Sequence, residues 1–254
     1  MPRVALVCEY DGTDFVGWQA QANGRSIQSV LTEAVSAVAN QSVELHGAGR
    51  TDAGVHAARQ VAHFDSDAVR TTRQWLLGIN SNLPEDVSVH WVDDVPQEFD
   101  ARRSALWRQY RYRIVCQPTR PARGRRFCWW LREGLDCGAM TAAASAWLGE
   151  LDFSAFRAAH CQSSTPMRRM LGVRVVRTTE GVDLVFRANA FLYHMVRNLV
   201  GTMVAIGQGE AQPGWGRELL VARDRRLAAR TAPARGLTLE SVAYDDAYGV
   251  PRYH

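Results

Sequence analysis

Residues 43–65 read VELHGAGRTDAGVHAARQVAHFD, and the fold turns on how this stretch divides. Val43 to Ala48 and Arg59 to Asp65 carry strand-prone residues, and between them Gly47, Gly49 and Gly54 mark a turn from Gly47 to Gly54. Upstream, Ser26 stands as an N-cap before Ile27, Val30, Leu31, Ala34, Val35 and Val38, whose spacing of i, i+3, i+4, i+7 and i+8 predicts an amphipathic helix. Before it, Arg3 to Tyr10 reads as a strand closed by the turn Glu9-Tyr10-Asp11-Gly12. Downstream come a short helix over Thr72 to Ile79 and a strand over Val87 to Val92.

The order is β-α-β-β-α-β, the split ferredoxin-like unit. A strand over Ala105 to Cys116 follows, then a Pro/Arg-rich connector from Gln117 to Gly124. Beyond it the patterns predict helices over Gly138 to Leu148, Phe191 to Ile206 and Trp215 to Ala222, and strands over Gly172 to Thr178, Val182 to Ala188 and Leu237 to Tyr244. The expected architecture is α+β, with halves 1–116 and 117–254 whose antiparallel sheets each carry helices on one face.

A chain of 254 residues with 46% hydrophobic and 22% charged residues can bury a sizeable core and is not a disordered sequence. Its longest mostly apolar run, Leu199 to Ile206, falls well short of the roughly 20 residues a spanning helix needs. Met1 to Tyr10 lacks the pattern of a signal peptide, so a cytoplasmic protein is expected. The five cysteines show no C-x-x-C spacing, which disfavours a disulfide framework or cysteine zinc site.

All 30 basic residues are arginine, so lysine Schiff-base chemistry and a P-loop lysine are excluded. The net charge of +4 conceals a polarity: residues 1–101 hold 6 Arg against 14 acids, whereas 102–254 hold 24 against 12. Nine arginines and no acid lie between Arg102 and Arg126, interleaved with Trp107, Tyr110 and Tyr112, and another acid-free stretch runs from Arg157 to Arg177. Such a field suits a nucleic-acid backbone; a solvated strand face paired with acids of the first half is the plainer alternative.

The densest chemical cluster is His46 to His56, where glycines allow close backbone approach and Arg50 and Asp52 stand two apart, on one side of an extended segment. It reads either as a site or as an ordinary glycine-rich turn with a surface acid. Its glycine spacing is not a dinucleotide fingerprint. His46, His56 and His63 complete no recognised metal-ligand spacing, so no metal is expected. Tyr110 and Tyr112 alternate as strand-packing aromatics do. His160-Cys161 reads as a packed or surface pair, and one of Tyr193 and His194 is expected to reach a cleft.

Gly49-Arg50-Thr51-Asp52-Ala53-Gly54-Val55-His56 resembles the signature of the tRNA pseudouridine synthase A family. Glu9 to Thr13 with Gly17-Trp18-Gln19 resembles that family's opening strand. Arg108-Gln109-Tyr110-Arg111-Tyr112 resembles its second motif, with Gln109 in place of a basic residue. Asn189 to Asn198 resembles its helix motif, and Gly236-Leu237-Thr238-Leu239 its last strand. The resemblance implies isomerisation of uridine to pseudouridine at positions 38, 39 and 40 of the tRNA anticodon stem-loop. It implies Asp52 as nucleophile, Arg50 as the residue that helps turn the target nucleotide out, Tyr110 against the uracil, Arg197 as ion-pair partner of Asp52, and Leu237 as an apolar contact to the base. Arg108 and Arg111 are expected to bind substrate. Two ferredoxin-like halves meeting at an RNA cleft, and a homodimer, are implied as well.

The chemistry can be weighed on its own terms. Exchanging a C–N for a C–C glycosidic bond within one nucleoside is redox-neutral, so no cofactor is expected. It requires a nucleophile that adds to base or sugar and later leaves, as carboxylates do in glycosyl chemistry. A nearby guanidinium favours the charged form of such a carboxylate. A non-catalytic RNA binder is the competing reading, but it has no use for a carboxylate facing phosphates. An Asp-dependent N-glycosylase, which would release free base, is a third.

Overall fold

The computed structural model describes residues 1–252 apart from Asn23 and His160, so the expectation for the His160-Cys161 pair lies outside the described residues. The chain forms two compact units: Met1–Trp107 together with the residues from Leu239 onward, and Arg108–Thr238. Among the described residues no helix is long and apolar enough to cross a membrane.

The first unit opens with β1 (Arg3–Tyr10) and continues through α1 (Ile27–Ala39), β2 (His46–Gly47), β3 (His56–Asp65), α2 (Thr72–Asn82) and β4 (Val87–Val95). Ser26 caps α1 by accepting from the Ser29 N–H, and Thr71 caps α2 through Gln74, each in a reciprocal capping box. β1 lies between β4 and β3, antiparallel to both, and β2 pairs with β3. The β-α-β-β-α-β order therefore holds here. The expected strand from Val43 shrinks to two residues, because Val43 and Leu45 are buried in the loop that leads into β2.

Val4 to Cys8 of β1 are all buried, so both faces of this sheet are covered. Val4 pairs with Phe64, whose ring meets Trp75 of α2 edge-on at 5.3 Å. Ala5 pairs with His63, and that face is closed by Phe99, which packs on Tyr244 and Tyr248 with ring centroids 5.0 and 5.2 Å apart. The Tyr244 hydroxyl donates to the Ala101 carbonyl at 2.6 Å, and the Ala101 N–H donates to His63 Nδ1 at 3.1 Å.

The second unit contains β5 (Trp107–Cys116, within this unit from Arg108), β6 (Trp129–Leu131), α3 (Cys137–Ser145), β7 (Gly149–Asp152), β8 (Met167–Arg177), β9 (Gly181–Ala188), α4 (Met195–Gly207) and α5 (Trp215–Ala222). Its strand order is β5-β9-β8-β7, antiparallel throughout, but β6 pairs with β5 in parallel, so the expectation of purely antiparallel sheets is corrected. Tyr110, Tyr112 and Ile114 lie opposite Phe186, Leu184 and Val182 on one inward face. Over the expected helix 138–148, α3 ends at Ser145; Trp147 turns inward and its indole N–H donates to Gly216 at 3.1 Å.

α4 is buried nearly all round. It starts four residues later than expected, because His194 adopts a left-handed conformation (φ 58°) and Phe191 packs edge-on to Tyr110 instead of joining the helix. A last strand, β10 (Leu237–Ala243), starts in the second unit and from Leu239 lies beside β3 in the first.

Candidate active site

The glycine-rich loop between β2 and β3 is gripped by the segment that follows β1. The Trp18 N–H donates to the Thr51 carbonyl at 3.0 Å, and Gly17 and Asp52 form an isolated antiparallel bridge. Gly17 has φ +109°, and a Cβ there would stand 2.7 Å from the Thr51 oxygen; one at Gly12 would fall 2.0 Å from the Val55 oxygen. These two close approaches explain the glycines of the opening motif.

Thr51 turns inward, where its hydroxyl bonds the Tyr10 hydroxyl at 2.8 Å. Gln60, fully buried on β3, donates to the Gly49 carbonyl at 2.7 Å. The Val55 N–H closes a turn onto the Asp52 carbonyl at 3.1 Å. With Thr51 inside, Arg50 is exposed and Asp52 half-buried, so the alternation read from sequence persists in the loop. His56 Nδ1 lies 3.1 Å from both the Gly12 amide nitrogen and Asp11 Oδ1, fastening the loop's far end. Tyr10, Thr51 and Gln60 were not assigned from sequence. Gln60, a polar residue inside an apolar strand run, was the available signal.

The other candidates belong to the second unit. Tyr110 is buried, with Phe191 edge-on at 5.1 Å. Arg197 is half-buried on α4; its Nε–H donates to the Ala232 carbonyl at 2.8 Å, and its own carbonyl accepts the Ala232 N–H at 3.1 Å. The Tyr112 hydroxyl donates to Pro233 at 2.7 Å, and burial pushes its phenol pKa well up against the opposing pull of Arg197 and Arg235. A Cβ on Gly236 would stand 2.6 Å from the Tyr112 ring, and the next residue, Leu237, is buried. Tyr193 is exposed and tilted over His194 at 4.0 Å.

Arg108 and Arg111 occupy opposite faces of β5, as an interval of three on a strand requires. Arg108 is buried on the face of Tyr110 and donates to the Asn189 carbonyl at 2.8 Å; Arg111 is exposed and donates to Asp183 at 3.1 Å. Of the nine arginines from Arg102 to Arg126, every one but Arg108 is exposed. A cavity of about 650 Å³ in the second unit, between Trp129, Trp215 and the C-terminal half of α4, contains none of the candidate residues. Among the described residues no three His, Cys, Asp or Glu side chains converge on a metal position.

Comparison with known proteins matches residues 6–102 and 143–245 to a family described as tRNA pseudouridine synthase. Proteins named tRNA pseudouridine synthase A are similar along nearly the whole chain. That of Enterobacter sp. strain 638 is 48% identical over 250 residues, spanning 98% of this chain and 93% of its own length. That of Shewanella sediminis is 47% identical with coverage of 98% and 96%, and that of Alcanivorax borkumensis 46% with 99% and 94%.

Proposed function

Because the chain belongs to the tRNA pseudouridine synthase family, and is thus an isomerase that converts uridine to pseudouridine, we propose that it acts at positions 38, 39 and 40 of the anticodon stem-loop with Asp52 as nucleophile. The observation that carries this reading is the grip on the catalytic loop: backbone bridging at Gly17 and the inward bond of Thr51 present the Asp52 side chain, half-buried, from a fixed main chain. Positioning of this kind makes a nucleophile effective.

The C1′–N1 bond breaks and a C1′–C5 bond forms; N1 gains a proton and C5 loses one, so atoms and electrons balance within the nucleoside. Asp52 adds to C6 of uracil or to C1′ and leaves when the new bond is made. Extruding the uridine costs a few kcal/mol, and Arg50, exposed beside Asp52, takes the vacated space. Tyr110 and Leu237 receive the uracil, and Arg197 serves as the ion-pair partner of Asp52. Arg108 and Arg111 serve the RNA backbone, Arg108 through the chain segment its guanidinium holds at Asn189.

In this reading each of the two units is a ferredoxin-like half. The placement of β1 between β4 and β3, with β2 on β3, supports that for the first unit. The enzyme works as a cytoplasmic homodimer without a cofactor.

Asp52→Asn keeps the shape and removes the nucleophile. It is expected to abolish tritium release from tRNA labelled at C5 of uridine while leaving tRNA binding within a few-fold. Retained turnover defeats the assignment. Binding without turnover in the unaltered protein favours the non-catalytic RNA binder, and free uracil among the products favours a glycosylase.

A further inference from the structure

The residue following Arg197 on α4 is Asn198, a polar side chain fully buried in the core. Its Nδ2 donates to the Phe156 carbonyl at 2.7 Å, and its Oδ1 accepts from the Thr231 hydroxyl at 2.7 Å and from Arg225 Nη2 at 3.0 Å. Arg225 Nη2 also donates to the Thr231 hydroxyl at 3.0 Å, closing a triangle of three side chains. The hydrogen bonds of Arg225 go to neutral oxygens, and burial holds its pKa below the usual arginine value. A half-buried guanidinium whose hydrogen bonds go to neutral oxygens is held by the geometry of those bonds.

What the triangle fixes is the main chain at 230–233. A Cβ on Gly201 would stand 1.9 Å from the Arg230 carbonyl, so this segment lies directly on the helix backbone. The next residues exchange bonds with Arg197 through Ala232, and Pro233 accepts from Tyr112. Anchoring Nε by the Ala232 carbonyl sets the plane of the guanidinium fork, and the direction in which both Nη groups point follows from that plane.

We infer that Asn198, Thr231 and Arg225 form a positioning device that holds the Ala232 carbonyl in place and thereby aims the Arg197 guanidinium. The inference deepens the reading in which Arg197 partners Asp52, and rests on it. None of the three touches substrate; they act through Arg197 alone.

The test compares Thr231→Val, Thr231→Ser and Arg197→Ala in the full-length chain. Three readouts are taken: kcat and KM on C5-tritiated tRNA, thermal unfolding, and hydrogen exchange of the Arg197 Nε–H in nitrogen-15-arginine protein. Thr231→Val keeps the shape and removes the hydroxyl. It should lower kcat about ten- to thirtyfold with KM within twofold, and speed Arg197 Nε–H exchange at least tenfold. Thr231→Ser should restore both to within twofold. If Thr231→Val keeps full kcat while Arg197→Ala loses it, the positioning inference fails and the role of Arg197 stands. If neither variant lowers kcat, the role of Arg197 fails and takes the inference with it. A fall in kcat that serine does not rescue, or one with unchanged Nε–H exchange, marks general loss of packing and overturns the inference.

Discussion

Replacing Gly17 by alanine probes the grip on the Asp52 loop from the opposite side of the bridge. The new Cβ would stand 2.7 Å from the Thr51 oxygen, 3.1 Å from the Ala53 nitrogen and 3.1 Å from the Asp52 carbonyl carbon, all main-chain atoms. Comfortable contact begins near 3.4 Å, so Thr51 must retreat by about 0.7 Å, and Asp52, the next residue, moves with it. Holding alanine at φ +109° costs about 1–3 kcal/mol, and weakening the Trp18–Thr51 hydrogen bond adds about 1 kcal/mol. A 1 Å misplacement of a reacting group costs on the order of a hundredfold in rate, so a shift of this size should lower kcat at least about tenfold. Urea unfolding measures the first effect and single-turnover tritium release on saturating tRNA the second. Gly134→Ala is the control, since nothing lies within 4 Å of its Cβ and its φ is not positive. If Gly17→Ala loses about 2–4 kcal/mol of stability but turns over at the unaltered rate, the bridge stabilises the fold without aiming Asp52, and the reasoning is refuted.

Two further outcomes follow from titratable groups. His63 is buried, and burial, then the Arg3 charge, hold its pKa down at about 4, while its Nδ1 accepts from Ala101. The unfolded chain binds this proton at the ordinary value of 6.5 and the folded chain does not, so stability is fully present above pH 6.5 and declines as pH falls towards 4, by at most about 3 kcal/mol. Urea unfolding across that window should flatten by up to about one proton in His63→Asn; an unchanged slope refutes the assignment. For Cys161, burial raises the thiol pKa, but the Tyr193 and Ser163 backbone N–H groups and Arg157 outweigh it and hold it below the usual value, whereas burial pushes Cys8 far up. In the native protein a disulfide reagent at pH 7 should label Cys161 first and leave Cys8 untouched until unfolding, as mass spectrometry of the labelled peptides would show. Labelling of Cys8 ahead of Cys161 contradicts this.

Where one residue type at one spacing decides the conformation, the sequence was sufficient. β1, α1 with its Ser26 cap and α5 carry the boundaries expected of them, because a continuous apolar strand run closed by a turn, or a helix face, is a local property. The start of α4 was not legible: Phe191 and Leu192 continue the apolar pattern, and only their burial beside Tyr110 explains the left-handed residue at His194. β6 and β7 were missed for a related reason. Three residues at Trp129–Leu131 and the polar Gly149–Asp152 are strands only because β5 and β8 offer them edges. In the candidate site, Arg50 and Asp52 could be singled out by their chemistry. Of the parts that hold them, Thr51 sits between the two but gives no sign of pointing inward, and Tyr10 and Gln60 lie far off in sequence, so their bonds to the loop form only once the chain is folded.

The first unit is built from chain segments before and after the second unit, with the residues after Thr238 supplying a neighbour for β3 and the aromatic backing of Phe99, which covers His63. During synthesis, then, the glycine-rich loop exists long before the support behind its strand has been made. Until residue 239 and its successors emerge, the flank of β3 away from β1, beyond the two residues paired with β2, is an open edge available to other chains. Completion of the first unit therefore waits on a segment made only after the whole second unit, and a nascent chain halted before Leu239 would be a better substrate for chaperones than a catalyst for tRNA.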